Sequence, residues 1–161
     1  SVLSPWTRPP SIQKVLHAAQ QDIELFEDES SSAVLKRRKR FTLPQAERSL
    51  PLVRRIVADV VRVHAQASRL HAMLDRIRDR VQREQIEDEL DATVRRLEQL
   101  VDELTDVGCE LRDYRRGMVD FVSTHQGRDI FLCWQIGQDR ITGWQEIDVT
   151  SDVGKPTALL I

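Results

Sequence analysis

The stretch VRRIVADVVRVHAQASRLHAMLDRIRDRV, residues 53–81, decides the fold of this chain. Its apolar residues recur at alternating steps of three and four, which places them on one stripe of an α-helix. They are Val53, Ile56, Val60, Val63, Ala67, Leu70, Leu74, Ile77 and Val81. A seven-residue repeat over four heptads is typical of a helix that packs along its length on other helices. We predict a long helix that begins near Pro44, a residue tolerated in a first helical turn.

A second apolar run follows in a new phase and predicts a second helical segment up to Val107. Its members are Ile86, Leu90, Val94, Leu97, Val101 and Leu104. The phase break between Val81 and Ile86 is compatible with a hairpin turn or with a bend in one very long helix. Residues 84–89 contain no Gly, Pro, Asn or Ser, which counts against a tight turn at that place.

Charge favours the hairpin. Residues 44–83 carry nine arginines and four acids, whereas residues 84–107 carry two arginines and nine acids. Two antiparallel helices of opposite charge attract each other, and the same complementarity can act between two chains. A helix over residues 44–82 is roughly 58 Å long at 1.5 Å per residue. One small sheet does not cover such a length, so we expect a homodimer.

After Gly108, which suits the position that follows a helix C-terminus, the apolar period changes to two and indicates β-strands. We predict strands at Cys109–Arg112, Gly117–Ser123, Asp129–Ile136 and Ile141–Val149, joined in part by glycine-containing loops at 124–128 and 137–140. In the third of these strands, Leu132 and Trp134 share one face, and Phe131 and Cys133 share the other. Both faces of the sheet are therefore predicted to be covered.

Residues 1–40 read as an N-terminal arm ahead of a single domain at residues 41–161. Pro9 and Pro10 oppose a helix at the start of the arm. Beyond them, apolar residues at helical spacing predict an amphipathic helix over residues 11–27. They are Ile12, Val15, Leu16, Ala19, Ile23 and Phe26. A basic linker follows and ends in five consecutive cations: Lys36, Arg37, Arg38, Lys39 and Arg40.

Together these elements predict a mainly helical α+β protein. A long antiparallel helical hairpin packs on a small three- to four-stranded antiparallel sheet, with an N-terminal helical arm added. The 161 residues suit one domain and an arm. The net charge of −2 shows no basic excess for nucleic acid, and no apolar run approaches the roughly 18 residues of a membrane span. Two cysteines are too few for a disulfide framework, which favours a reducing, cytoplasmic location.

Several short motifs carry a family resemblance. They are FTLPQA at 41–46 with LPL at 50–52, RGMVDF at 116–121, LCWQIG at 132–137, WQE at 144–146 and GKP at 154–156. From residue 41 to about residue 157, the chain resembles an uncharacterised bacterial family, the domain of unknown function 2203. The resemblance implies a helical segment followed by a small β region, with no assigned activity. It also implies an acid and a histidine where this chain has Gln138 and Gln145, which argues against an active site at those positions.

Candidate ligand-binding residues are concentrated in the predicted sheet. Asp120, His125, Cys133 and Glu146 are of metal-ligand types and lie on neighbouring strands or their loops; Trp134 and Trp144 can line a pocket, and Arg116 can bind an anion. No paired spacing such as Cys-x-x-Cys is present, so we predict neither a metal nor a cofactor. Each of these residues also has a plain structural role: the tryptophans suit a core, and the charged groups suit ion pairs.

Cys133 is the one candidate nucleophile of this set. His125 lies eight residues earlier, across the proposed hairpin loop, and a thiol needs such a base to react as thiolate. A cysteine within a strand more often serves as a small apolar side chain. We assign no catalytic residue; the sequence leans against an enzyme but leaves that question open.

Three functions remain open at this level. The regular heptads and the opposite helix charges favour a non-enzymatic interaction or scaffold module with a protein partner. The alternative is a small-ligand or metal-binding protein, or an enzyme, with a site in the sheet. Nucleic-acid binding through residues 36–40 is the third and is not favoured, because no aromatic residue is interleaved in the run. A solvated linker, or a strap to the acidic helix of a partner chain, suits this run better.

Overall fold

The computed structural model describes residues 38–147 and the backbone of residues 155–156. Helices α1 and α2 span Leu43–Leu74 and Arg80–Val107; strands β1 to β5 span Glu110–Asp113, Met118–His125, Arg128–Gln135, Gly143–Glu146 and Lys155–Pro156. The two helices form an antiparallel hairpin on an antiparallel sheet, so the predicted mainly helical α+β fold is confirmed. The two-residue strand β5 adds a fifth strand to the predicted four. The helical arm predicted at residues 11–27 lies outside the described residues.

Helix α1 begins with a reciprocal cap. The Oγ1 atom of Thr42 accepts a hydrogen bond from the backbone N–H of Gln45, and the Gln45 side chain accepts one from the Thr42 N–H. Pro44 lies in the first turn, where its missing N–H has no helical partner to lose. The local sequence therefore sets where this helix starts.

The turn of the hairpin lies at residues 75–79, ahead of the predicted break between Val81 and Ile86. No glycine or proline is needed, because polar side chains terminate the helices. Asp79 caps the N-terminus of α2 by accepting a hydrogen bond from the Gln82 N–H, 3.0 Å away. The Arg83 guanidinium donates to the carbonyls of Leu74 and Ile77. Val81 continues the heptad pattern in the sequence, but its side chain is not packed: the residue is 62% exposed.

Apolar packing, and not ion pairing, joins the two helices. Near the hairpin turn the contact consists of Ala67, Leu70, Leu74, Leu90 and Val94. Among residues 38–147, no ion pair links an arginine of α1 to an acid of α2. The opposite charges thus indicated the correct pairing of the two helices, although ion pairs between these charges do not stabilise that pairing. The part of the α1 stripe that the sheet leaves uncovered packs on α2 of the same chain, so heptad length alone no longer requires a second copy.

The sheet has the strand order β1-β2-β3-β4-β5, and every neighbouring pair is antiparallel. Gln126 and Gly127, with φ values of 51° and 76°, form the two-residue turn between β2 and β3. These positive angles match the twist of paired strands. The turn is therefore shorter than the predicted loop at 124–128, and both strands extend into that range.

The two faces of the sheet differ in what they contact. The core face packs on the helices through a set that includes Val119, Phe121, Ile130, Leu132, Trp134 and Trp144. The alternating residues of the same strands point the other way. We call this second surface the outer face; it carries Asp120, Val122, Phe131, Cys133 and Gln145.

A glycine brings the turn between β1 and β2 against α1. Gly117 has a φ of +69°, and a Cβ atom there would lie 2.8 Å from Ile136 and 2.9 Å from Val57. The Asp113 carboxylate accepts hydrogen bonds from the backbone N–H groups of Arg115 and Arg116, which fixes the turn. Only glycine meets both the backbone angle and the available space at this position.

No helix in the described part of the chain has the length and apolar character needed to cross a membrane.

Candidate functional site

Strand register places three ionisable residues in one row across the outer face. Glu110 of β1 pairs with Asp120 of β2, and Asp120 pairs with Cys133 of β3. Directly opposed residues on one face of a sheet have Cβ atoms about 5 Å apart. The antiparallel ladder therefore gathers groups that lie far apart in sequence.

Asp120 is the central residue of this row. Only 6% of the residue is exposed. Its Oδ2 atom accepts a 2.7 Å hydrogen bond from Arg112 Nε, whereas its buried Oδ1 atom has no hydrogen-bond partner. Burial raises the pKa of Asp120 to about 6, against the opposing effect of the Arg112 charge. The carboxyl group is thus held where it can exchange a proton near neutral pH.

Arg112 reaches Asp120 from an irregular position in β1. The register between β1 and β2 shifts between Leu111 and Asp113, so Arg112 is the unpaired residue of a β-bulge. Its guanidinium also lies 5.8 Å from the centre of the Phe131 ring. Beside it, Arg38 forms an ion pair with Glu110. Sequence reasoning missed Arg112 and Glu110. These two charged residues are two positions apart in a predicted strand, and the next predicted strand contains Asp120; this pattern was the available signal.

The thiol of Cys133 is not activated. Burial and the neighbouring Asp120 charge raise the pKa of Cys133 to about 12, and its Sγ atom lies 3.8 Å from the Phe131 carbonyl oxygen. His125 does not serve as its base, because residues 121, 123 and 125 point to the core face whereas Cys133 points to the outer face. The His125 ring instead contacts Trp144, with ring centres 5.4 Å apart. A Cys–His pair is therefore not formed.

The remaining candidate ligand residues are dispersed. Trp134 is buried in the core and donates a hydrogen bond from its indole to the Gln138 carbonyl, and Trp144 is buried in the same core. Glu146 pairs in register with Ile130, on the face away from Asp120. Arg116 is exposed in the turn between β1 and β2. Of the predicted set, the fold brings together Asp120 and Cys133 on the outer face and, apart from them, His125 and Trp144 on the core face.

The two glutamines of the family motifs are also apart. Gln138 lies in the loop between β3 and β4, where its side-chain oxygen accepts a hydrogen bond from the Gln135 N–H. Gln145 is buried on the outer face opposite Phe131. These two positions therefore do not line one site.

The described part of the basic run is engaged within the domain. Arg38 pairs with Glu110, and Arg40 forms two hydrogen bonds of 3.0 and 3.1 Å with the Asp129 carboxylate. The Lys39 ammonium lies 4.7 Å from the centre of the Phe41 ring. Lys36 and Arg37 lie outside the described residues. These contacts fasten residues 38–40 to the edge of the sheet.

A buried histidine forms a second polar feature on the core side. His64 of α1 stacks on Tyr114 at a ring-centre distance of 5.8 Å, and its Nε2 atom has no hydrogen-bond partner. Burial lowers the pKa of His64, more than the nearby Asp113 raises it. The imidazole is therefore held in its neutral form and belongs to the packing between α1 and the sheet.

A shallow groove runs between the two helices on the exposed side of the hairpin. Its volume is about 260 Å³, and its lining consists of Arg62, Val63, Gln66, Glu89, Ala92, Thr93 and Arg96. Charges of both signs border it. Within residues 38–147, no three His, Cys, Asp or Glu side chains are grouped so that they could hold a metal ion.

Comparison with known proteins gives one finding. No curated protein and no solved structure matches this chain. A family model described as "Uncharacterized conserved protein (DUF2203)" matches residues 39–155, which include both helices, strands β1 to β4 and the first residue of β5. That range contains every motif on which the resemblance rests apart from the final residue of GKP. The chain therefore belongs to the DUF2203 family.

Proposed function

We propose that this protein is a non-enzymatic interaction module that assembles as a homodimer through its helical hairpin. One observation carries the proposal: the helices bear opposite charges that do not pair with each other. Helix α1 has five arginines and two acids, and α2 has four arginines and nine acids. Since no ion pair joins the two helices within the described residues, the exposed members of this set are available to a partner.

A second copy suits this surface because a two-fold interface must be self-complementary. The stripe of Arg55, Arg62 and Arg69 on α1 lies on the same hairpin as Glu89 and Glu103 on α2, and all five residues are exposed. If α1 of one copy faces α2 of the other, each positive stripe meets one negative stripe, and this contact occurs twice in the dimer. The groove lined by Arg62, Glu89 and Arg96 lies within this surface.

A charge-swap experiment tests the dimer. Variant A carries Arg55→Glu, Arg62→Glu and Arg69→Glu, and variant B carries Glu89→Arg and Glu103→Arg. In a homodimer of either variant, the α1 stripe would meet an α2 stripe of the same sign, so each variant alone should be monomeric by sedimentation. An equimolar mixture should recover a dimer, because the α1 surface of each variant then faces an opposite α2 surface. Arg128→Glu, at an exposed position in β3, is the matched control and should leave the dimer intact.

The wild-type dimer should weaken at high salt, since exposed charge pairs are screened. A wild-type protein that stays monomeric at low salt, or a mixture of A and B that stays monomeric while both variants keep their circular dichroism, would contradict the proposal. The cytoplasm is the proposed location. Both cysteines are free thiols, which suits a reducing compartment.

A second candidate function is the binding of a small ligand on the outer face, and one observation favours it. The buried Oδ1 atom of Asp120 has no well-formed hydrogen bond, and the neighbouring Cys133 thiol offers this carboxyl group only a weak donor; such buried atoms in native proteins usually have a full partner. A ligand with an N–H or O–H donor would satisfy it. Native mass spectrometry of protein purified without chelator tests this function, because a bound molecule adds mass in wild type and is lost in Asp120→Ala.

A further inference from the structure

Part of the outer face is buried although both helices lie on the other face; Phe131 and Cys133 on this face are half-buried. Val122 of β2 has no exposed surface, yet it belongs to neither of the apolar clusters that α1 and α2 form. Its neighbours Asp120 and Gln145 on this face are buried as well. The two helices therefore do not account for the burial of Val122.

The chemistry of the face indicates what fits it. Val122 pairs with Phe131, so an apolar strip crosses β2 and β3, and the polar Gln145 continues the row on β4. Charged groups border the strip on one side, where Arg112 bonds to Asp120. An element with a single apolar stripe and a polar back suits this surface, since it covers the strip and leaves its other side to water.

The position at which the described chain begins points to the occupant. Arg38 pairs with Glu110, the outer-face neighbour of Asp120, and the Phe41 N–H donates a 2.8 Å hydrogen bond to the Val122 carbonyl. Arg38, the first described residue, therefore lies at the margin of the outer face. The eleven Cα–Cα steps from residue 27 to residue 38 can span at most about 36–40 Å. Five strands at about 4.8 Å spacing are narrower than that.

We propose that residues 11–27 cover the outer face of the sheet in the same chain and place their apolar stripe on Val122 and Phe131. The stripe consists of Ile12, Val15, Leu16, Ala19, Ile23 and Phe26. The short apolar segment at residues 158–161 is the competing occupant, and it offers fewer apolar side chains. In this arrangement the salt bridges of Arg38 and Arg40 anchor the linker that returns the arm to the sheet.

The reactivity of the Cys133 thiol shows whether the outer face is covered, because this thiol lies on that face in contact with the Phe131 carbonyl. The experiment measures its alkylation rate in the full chain, with the modified cysteine identified by peptide mass spectrometry. Leu16→Glu places a charge in the stripe and should raise the Cys133 rate roughly tenfold to a hundredfold, the loss expected for one buried leucine. Gln21→Glu, which adds the same side chain on the opposite side of the predicted helix, should leave the rate unchanged.

Two further results decide the occupant. A faster Cys133 rate in Leu159→Glu but not in Leu16→Glu would assign the face to the C-terminal segment and overturn the proposal. If the Cys133 thiol of the wild-type protein is alkylated faster on dilution, the arm that protects it comes from a second copy. This result would also overturn the proposal. Methyl–methyl Overhauser contacts between Val122 and Leu16 in the labelled wild-type chain are expected, and contacts of Val122 with residues 159–161 alone would contradict the arm. This second measurement needs no variant to fold.

Discussion

Asp120 accepts a 2.7 Å hydrogen bond from Arg112 on the outer face of the sheet, and the same carboxyl group is buried with its second oxygen unpaired. The relationship depends on a β-bulge at Arg112 and on the register of three strands. A buried carboxyl group with one cationic partner is a pH-sensitive element of the fold.

The first prediction concerns the pH dependence of stability. Burial raises the pKa of Asp120 from 3.8 to about 6 in the folded chain, so the folded state binds the proton more tightly than the unfolded state. Protonated Asp120 therefore stabilises the folded state, and this contribution to the free energy of unfolding is fully present below about pH 4. It falls by roughly 2–3 kcal/mol as the pH rises through 6. Urea unfolding at pH values from 4 to 7 should show this loss in wild type. Asp120→Asn should remove it, whereas Asp102→Asn at an exposed position on α2 should keep it.

The second prediction concerns Gly117. Gly117→Ala adds a Cβ atom at a position with φ +69° and with Ile136 and Val57 within 2.9 Å. We expect a loss of about 2–4 kcal/mol in the free energy of unfolding, measured by denaturant titration. Gly127→Ala is the matched control, since its φ is +76° but nothing lies within 4 Å of an added Cβ. That variant should lose only about 1 kcal/mol, and equal losses in both would refute the steric explanation.

The third prediction concerns the hairpin turn. Arg83→Gln removes two hydrogen bonds from the guanidinium to the carbonyls of Leu74 and Ile77. We expect the free energy of unfolding to fall by about 1–3 kcal/mol. Arg80→Gln, whose side chain is exposed and lies 3.5 Å from Glu84, should cost about 0.5 kcal/mol or less. If the two substitutions cost the same, Arg83 does not stabilise the turn.

The fourth prediction concerns His64. Its pKa is lowered by burial, so the unfolded chain binds a proton more readily and stability falls as the pH drops below about 6.5. The facing groups are Tyr114, Asp113 and Arg115. In an NMR titration the imidazole of His64 should titrate below the range of ordinary histidines. His64→Phe keeps the stack on Tyr114 and should abolish this component of acid sensitivity; a His64 resonance that titrates near pH 6.5 would contradict the assignment.

The fifth prediction concerns nucleic acid. Arg38 and Arg40 are already paired with Glu110 and Asp129, so we expect no salt-dependent retention of the protein on DNA or RNA columns. Asp129→Ala frees Arg40 and should increase retention at low salt. Strong retention of wild type at low salt that falls steeply with added salt would restore the nucleic-acid hypothesis.

The sequence by itself determined the elements and their class. The step of three and four fixed both helices, because a helix must bury one continuous stripe, and the change to a period of two after Gly108 fixed the strands. Opposite charges in the two apolar runs indicated an antiparallel hairpin. The family motifs placed the chain correctly, because glycine-bounded turns such as Arg116-Gly117 require particular residues at particular places.

Tertiary structure alone decided the turn and the site. The heptad pattern continues through Ile77 and Val81, and only the capping of α2 by Asp79 with the bonds of Arg83 ends α1 at Leu74. A two-residue turn in place of a five-residue loop set the β2–β3 register, which put Cys133 beside Asp120 and His125 on the other face. A single-residue shift exchanges the faces of a strand, so the meeting of Asp120, Arg112 and Cys133 depends on long-range pairing that local patterns do not encode.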